Sequence, residues 1–278
     1  MSPVHAHNDR AGTAVKARQI FRLAPTVIAP VYAETMRTIS VVIPAKNDAA
    51  MLENCLAALA RQSRPADEII VVDNASTDAT AAVARRFGTV VLYEPQPGIT
   101  AAASHGYDAA IGDIIARCDA DSLVPTDWLE RIERTMVEHP DAVAVTGPAT
   151  FYDLTRLGDW LARVLYLGAY FFSAGAALAG IPLFGSNFAM RRDLWRSVSP
   201  TVPRDEPDLH DDFDLSYRIR PGQHVRYDRA MVVRISGRPF RSLTAMLRRS
   251  ARAWTTMRLH FPSELPHRRW YARARSAG

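Results

Sequence analysis

The sequence predicts an α/β fold with a mostly parallel central sheet flanked by helices. Three observations predict it. Short β-branched runs alternate with helical periods between Thr38 and Asp119, and the polar residues collect where those runs end. The third is length: 278 residues suffice for one large α/β domain with a full core, or for two smaller domains.

Taken in order, Ile39-Ser40-Val41-Val42-Ile43 makes a first strand ending at Pro44. Met51 to Arg61 then has helical spacing through Met51, Leu52, Cys55, Leu56 and Leu59. Glu68 to Val72 is a second strand ending at Asp73, and Ser76 to Asp78 supply an N-cap for a helix running to about Phe87. Thr89 to Tyr93 is a third strand, and Gly98 opens a helix toward Ala110. The apolar run from Ile111 to Ala116, interrupted by Gly112 and Asp113, fits a buried strand that leads into Cys118-Asp119-Ala120-Asp121-Ser122. Beyond it come an amphipathic helix over Pro125 to His139, a strand over Val143 to Thr146, and two short strands, Val225 to Tyr227 and Met231 to Ile235.

Carboxylates at i and i+2 on an extended chain point the same way. Where a strand ends in the crevice of an α/β sheet, Asp119 and Asp121 can therefore share a hard divalent cation that keeps some waters and takes its other ligands from substrate phosphates. A solvated turn with two acids fits the same spacing. Lys46-Asn47 and Asp73-Asn74 gather at the same edge. No Gly-x-Gly-x-x-Gly follows the first strand and no Gly-Lys-Ser/Thr is present, which excludes the usual dinucleotide and nucleoside-triphosphate loops.

The totals add little about partners. The net charge is +5, and Lys16 and Lys46 are the only lysines among 34 cations. Cys55 and Cys118 give no disulfide framework and suit a reducing compartment. The first thirty-odd residues lack an uninterrupted apolar stretch of the secretory kind. Residues 1–36 read as a poorly ordered extension, and residues 1–35 as dispensable or upstream of the natural start, because Met36 stands directly before the first strand. The expected localisation is cytoplasmic, with a peripheral place on the inner face of the plasma membrane as the refinement.

The series Val41-Val42-Ile43-Pro44-Ala45-Lys46-Asn47, Val71-Val72-Asp73-Asn74-Ala75-Ser76-Thr77-Asp78, Gly98 to Gly106, and Asp119-Ala120-Asp121 resembles the nucleotide-binding half of family 2 glycosyltransferases. The likeness extends over roughly residues 38–238. It implies the GT-A fold and inverting transfer of a sugar from a nucleotide-sugar. It also implies that Pro44, Lys46 and Gly98 flank the nucleotide, that Asp73 reads the base, and that Asp119 and Asp121 hold ribose and the metal–diphosphate, the metal being Mn2+ or Mg2+. Ala103 departs from the family, which often has arginine there.

From Val164 to Phe184 there is no charge, a length that could span a membrane. Spanning would separate Asp119 and Asp121 from a second acidic motif after the segment. Glycines 168, 175 and 180 and Pro182 also interrupt it, so a buried or an interfacial helix is expected. Gly185 to Arg192 resembles the family's acceptor-side segment, in which a small-residue turn lets backbone approach the substrate; an ordinary glycine turn into a strand fits as well.

The second acidic cluster, Asp205 to Asp214, would be favoured by a helix dipole alone. The resemblance implies more: Asp211-Asp212-Phe213-Asp214-Leu215 is similar to the family's Glu-Asp-x-Asp-Leu pattern, which makes Asp212 the catalytic base and Asp211, standing where Glu is usual, its reserve. The family's histidine near the last strand is replaced by Arg234-Ile235-Ser236-Gly237-Arg238, so a metal would have one protein ligand fewer; these arginines could instead neutralise the departing diphosphate, and ordinary surface arginines fit equally well.

From Arg238 onward ten arginines face one acid, Glu264, with Trp254 and several Leu and Met at near-helical intervals. Residues 239–278 thus read as a basic amphipathic segment appended to a 37–238 glycosyltransferase domain, either membrane-facing or a solvated cap. No nucleic-acid module accompanies the charge, so no nucleic-acid partner is expected. The expected partners are a UDP- or GDP-sugar donor, a glycan or lipid-linked acceptor, and a membrane surface. A non-catalytic partner subunit that binds nucleotide-sugar or a membrane is the alternative, and a nucleotidyltransferase a third reading.

Overall fold

β1 (Ile39–Ala45) sits inside the sheet because every one of its seven residues is buried. Side chains alternate between the faces of a strand. Ile39, Val41 and Ile43 enter a core shared with α1 (Ala49–Leu59), α2 (Thr80–Arg86) and α4 (Trp128–Glu138). Val42 enters a second core with α3 (Ile99–Ala109), α7 (Arg192–Val198) and α8 (Asp211–Arg218). The helices therefore cover both faces. The computed structural model describes residues 37–276, and the extension expected over residues 1–36 lies outside them.

Among the described residues the main sheet has seven strands in the order β3-β2-β1-β4-β7-β5-β8. These are β2 (Glu68–Asp73), β3 (Val90–Tyr93), β4 (Ile114–Arg117), β5 (Ala142–Thr146), β7 (Phe188–Arg191) and β8 (His224–Tyr227) beside β1. All neighbours pair in parallel except β7, which runs antiparallel to both β4 and β5. A small second sheet pairs β6 (Ala149–Phe151) with β9 (Val233–Ile235) in parallel.

Pro44 continues β1 rather than ending it. Pairing of β1 with β4 stops at Val42–Arg117, so on that side the proline needs no ladder donor, while the β2 register runs on to Ala45–Asp73. β4 starts at Ile114, not Ile111, whose side chain is 72% exposed. Gly106 lets α3 settle on the sheet, since a Cβ there would lie 2.4 Å from Val42 Cγ1 and 2.9 Å from Val72 Cγ2.

Most of the uncharged stretch lies in one helical run, Arg156–Leu178, made of α5 (Arg156–Leu161), a π-helical turn over Ala162–Leu167, and α6 (Gly168–Leu178). By length and composition it could cross a membrane, yet only 28% of its most apolar window is buried. A fully buried helix is therefore not what forms. Ala174, Ala177 and Leu178 pack on Phe213 and Tyr217 of α8, whereas Leu157, Trp160, Leu165 and Phe172 face outward.

α9 (Leu243–His260) and α10 (Pro266–Ser276) are fastened to the ends of α6 and α8. Buried Arg269 donates to the carbonyls of Leu178, Tyr217 and Ile219 at 2.7–2.9 Å, satisfying acceptors that the helix ends leave free. Thr256 of α9 accepts the His210 N–H at 3.0 Å, just before α8 begins.

Candidate active site

The loops after β1 and β2 are braced against each other before they reach the site. Asn47 adopts a left-handed conformation (φ 53°), and its Oδ1 accepts the Thr77 N–H at 2.7 Å. Asp48 N–H donates to Thr80 Oγ1 at 3.0 Å. Asn74 donates to the carbonyls of Glu94 and Gln96 and accepts the Gly98 N–H at 3.1 Å, fixing the entry to α3. Gly98 has φ 130° and packs against Pro207 of the approach to α8.

At this edge, where β1, β2 and β4 end, lies a cavity of about 730 Å³. Pro44, Lys46, Gly98, Asp119, Asp121, Asp211 and Asp212 all line it. Seven of the eight residues expected from the sequence thus meet in one place. Asp73 is the exception: it is buried at the end of β2, does not line the cavity, and accepts the Ser76 N–H at 3.1 Å. Ala103, where relatives often carry arginine, is buried in the core beneath the sheet.

The two acidic motifs are joined by a residue that sequence reasoning passed over. Arg117, the last residue of β4, is 2% exposed and holds Asp119 Oδ1 at 3.0 Å with one nitrogen and Asp211 Oδ2 with another. Burial alone would depress this guanidinium, but the charge of Asp211, with that of Asp119, keeps it protonated. A signal was present in the sequence: an arginine directly after Ile114-Ile115-Ala116 is a cation in a buried strand, and such a cation needs partners. His210, Asp48, Arg249 and Arg252 also line the cavity and were not anticipated as part of it.

Burial and a crowd of like charges set the acids apart from one another. Burial, with the charges of Asp212 and Asp119, lifts Asp211 to about 6 against the pull of Arg117. Asp121 is likewise lifted to about 6 by burial and by Asp119, with Arg238 opposing. Asp212 goes the other way. Burial pushes it up, but His210, Arg117 and the Gly185 N–H together hold it below the usual carboxylate range. Gly185 N–H donates to Asp212 Oδ2 at 2.7 Å, and His210 Nδ1 lies 3.7 Å from Oδ1. A Cβ at Gly185 would stand 3.0 Å from Asp212 Oδ2 and 3.1 Å from Arg117, so the turn brings backbone close to both. Ser186 Oγ donates to Asp119 Oδ2 at 2.6 Å.

Asp119 and Asp121 offer oxygen donors only, the kind that Mg2+ and Mn2+ take. Among the described residues no group of three or more His, Cys, Asp or Glu is arranged to hold a metal. The pair therefore fits an ion completed by substrate oxygens and water rather than one caged by protein. Arg238 already contacts one member of this pair, donating to Asp121 Oδ2 at 3.1 Å.

Residues 40–197, more than half of the chain, match the family described as Glycosyl transferase family 2. The chain belongs to this family. Its GT-A architecture is shared with a mannosyltransferase from Pyrobaculum calidifontis solved with GDP-mannose and Mn2+, at a TM-score of 0.64 and 22% identity over 87% of this chain and 73% of that one. Glucosyl-3-phosphoglycerate synthase from Mycobacterium tuberculosis, solved with Mn2+, UDP and glucosyl-3-phosphoglycerate, gives a TM-score of 0.55 at 22% identity over 78% of each chain. At that identity the likeness is one of fold.

Among sequence relatives, glycosyltransferase AglE of Haloferax volcanii is 36% identical over 105 residues, 35% of this family 2 chain and 34% of AglE. Glucosyl-dolichyl phosphate glucuronosyltransferase of the same organism is 29% identical over 155 residues, 50% of this chain and 47% of its own. The chain spans between a third and a half of the length of these curated relatives.

Proposed function

We propose that this chain moves a sugar from a UDP- or GDP-sugar to an acceptor hydroxyl with inversion of the anomeric carbon. One observation carries the reading: Asp119 and Asp121 meet Asp211 and Asp212 around a single cavity, although the two pairs lie far apart in the sequence. Pro44, Lys46 and Gly98 take the nucleotide on the β1–β2 side, and Asp73 shapes that end from behind, through the turn it holds. Asp121, with Asp119, would hold Mn2+ or Mg2+, which supplies Lewis-acid neutralisation of the departing diphosphate. The nucleotide and Mn2+ in the Pyrobaculum and mycobacterial structures support this assignment.

Asp212 takes the proton of the acceptor hydroxyl as the oxygen attacks from the face opposite the diphosphate. Its depressed pKa keeps it ionised at neutral pH, and the Gly185 N–H fixes its orientation. Base assistance of this kind is worth roughly 100- to 10,000-fold. Asp211 anchors Arg117, and through it Asp119. A second reading makes Asp211 the base, favoured by its value of about 6, which lies nearer the operating pH.

Paired variants separate the two. Asp212→Asn is expected to abolish turnover while nucleotide still binds, and Asp211→Asn to weaken nucleotide binding as well, because it frees Arg117. If Asp212→Asn turned over normally and Asp211→Asn lost only turnover, Asp211 would be the base.

The acceptor is proposed to be glycan or lipid-linked, met by a protein lying peripherally on the cytoplasmic face of a membrane. Exposed Leu157, Trp160, Leu165 and Phe172 on α5–α6, and Leu247, Trp254 and Leu259 among the arginines of α9, support that placement.

A further inference from the structure

Arg238 reaches the donor carboxylates by construction of the backbone. It opens the turn after β9, and β9 is bonded to the loop that carries Asp121: Leu123 N–H donates to the Arg234 carbonyl at 2.7 Å and Arg234 N–H to the Leu123 carbonyl at 3.0 Å. The turn is fixed again by Asp153, which accepts from Ser236 Oγ at 2.9 Å, from the Gly237 N–H, and from Arg241 at 2.9 Å. From this anchored position the guanidinium spans two acids at the cavity wall. One nitrogen lies 2.6 Å from Asp48 Oδ1 and the other 3.1 Å from Asp121 Oδ2. Asp48 comes from the loop after β1 and Asp121 from the loop after β4, so a single cation closes the gap between them.

The contact has a chemical consequence. A guanidinium on Asp121 Oδ2 offsets the negative charge that a divalent ion would draw on, so the two cations compete for that carboxylate, and a guanidinium fork that suits carboxylates suits diphosphate oxygens equally well.

We propose that Arg238 is a resident cation of the donor site. Before a donor enters, it neutralises Asp48 and Asp121 and competes with a divalent ion for Asp121. When a nucleoside diphosphate enters, the guanidinium turns to the diphosphate oxygens and leaves Asp121 to the ion. The second half rests on the transferase reading above; the competition for Asp121 stands on the contacts alone.

The test uses the full chain and Arg238→Gln, with Arg238→Lys as the charge-keeping variant and melting curves as the check on folding. Mn2+ is titrated without nucleotide, free ion being read by electron paramagnetic resonance. UDP and GDP are then titrated calorimetrically in saturating Mn2+. The expected result is opposite in sign on the two axes. Arg238→Gln binds Mn2+ more tightly than the wild type, by a factor within the range of about 5- to 150-fold usual for coupled sites, and binds the nucleoside diphosphate more weakly. Arg238→Lys falls between on both. Mn2+ affinity that is unchanged, weaker or undetectable in both proteins overturns the competition. Unchanged nucleotide affinity in Arg238→Gln overturns the diphosphate contact. A wild type that binds neither UDP nor GDP instead defeats the transferase reading, while a tighter Mn2+ site in Arg238→Gln would still uphold the competition.

Discussion

Replacing Arg117 by methionine removes a cation that joins the two acidic motifs. Arg117 and Asp211 are both almost wholly enclosed, whereas Asp119 is about one-third exposed at 34%. Breaking a buried ion pair by deleting one partner costs about 3–5 kcal/mol, since the other charge is left uncompensated. Water reaches Asp119, so the lower end, about 3 kcal/mol, is expected here. For a chain of this size that corresponds to a fall in melting temperature of roughly 6–12 °C.

The loss must also depend on pH. Asp211 already titrates at about 6, above its unfolded value, and without Arg117 it moves higher. A carboxyl whose folded pKa is raised stabilises the fold in its protonated form, and that stability is lost as pH rises through the folded value. The gap between Arg117→Met and wild type should therefore be small near pH 5 and widen toward pH 8. Thermal melts across that range are the assay. A variant within about 2 °C of wild type at every pH would refute the argument, and so would a gap that does not change with pH.

Asp214 behaves in the opposite sense. Burial raises it, but His260 and Arg218, at 2.7 and 2.8 Å, hold it below the usual range, so its stabilisation is complete above about pH 4 and fades as the pH falls further. Asp214→Asn should flatten the acid limb of a stability–pH curve, and an unchanged limb would count against the pairing. Gly106→Ala forces a methyl against the β-branched side chains of β1 and β2. It should cost about 1–3 kcal/mol, read as a lower urea midpoint, and an unchanged midpoint would contradict the packing. Vesicle sedimentation should show binding to anionic but not neutral lipid, weakened by salt and by Leu247→Ser with Trp254→Ser. Equal binding to neutral vesicles would remove the electrostatic part of the membrane proposal.

The strands and helices of the first half were legible because their residues obey one period each. The alternation Ile39, Val41, Ile43 against Val42 is the two-sided burial of β1, and Ala102, Ala103 and Tyr107 repeat at the spacing of α3. Shorter elements were not legible. β6 has three residues and pairs with β9, which lies some eighty positions away, and no local pattern encodes that pairing. Ile111 was counted into β4 because its type suits a strand, but Gly112 and Asp113 turn the chain there and leave it outside.

The site divides in the same way. Asp119 and Asp121 announce themselves by spacing and Asp211 and Asp212 by density, yet their convergence depends on the insertion of antiparallel β7 and on α8. Only resemblance to a family supplied that link. Arg117, His210 and the α9 arginines were missed because each looks local: an arginine in a strand, a histidine before a helix, a basic tail. Their meaning comes from contacts with residues distant in the sequence. The Val164 to Phe184 stretch shows the limit of composition, since an uncharged helix reads alike whether it faces a core or a lipid.

Thermal stabilisation by UDP and GDP in Mn2+, measured on the wild type and on Asp121→Ala, tests the central claim most directly. A ligand that binds only the native state adds about 2.7 kcal/mol at one hundred times its dissociation constant, which is several degrees for this chain. One of the two nucleotides should raise the melting temperature of the wild type by that amount and that of Asp121→Ala by much less. Failure of both nucleotides to stabilise the wild type, or equal stabilisation of the two proteins, would contradict a donor site built on Asp119 and Asp121.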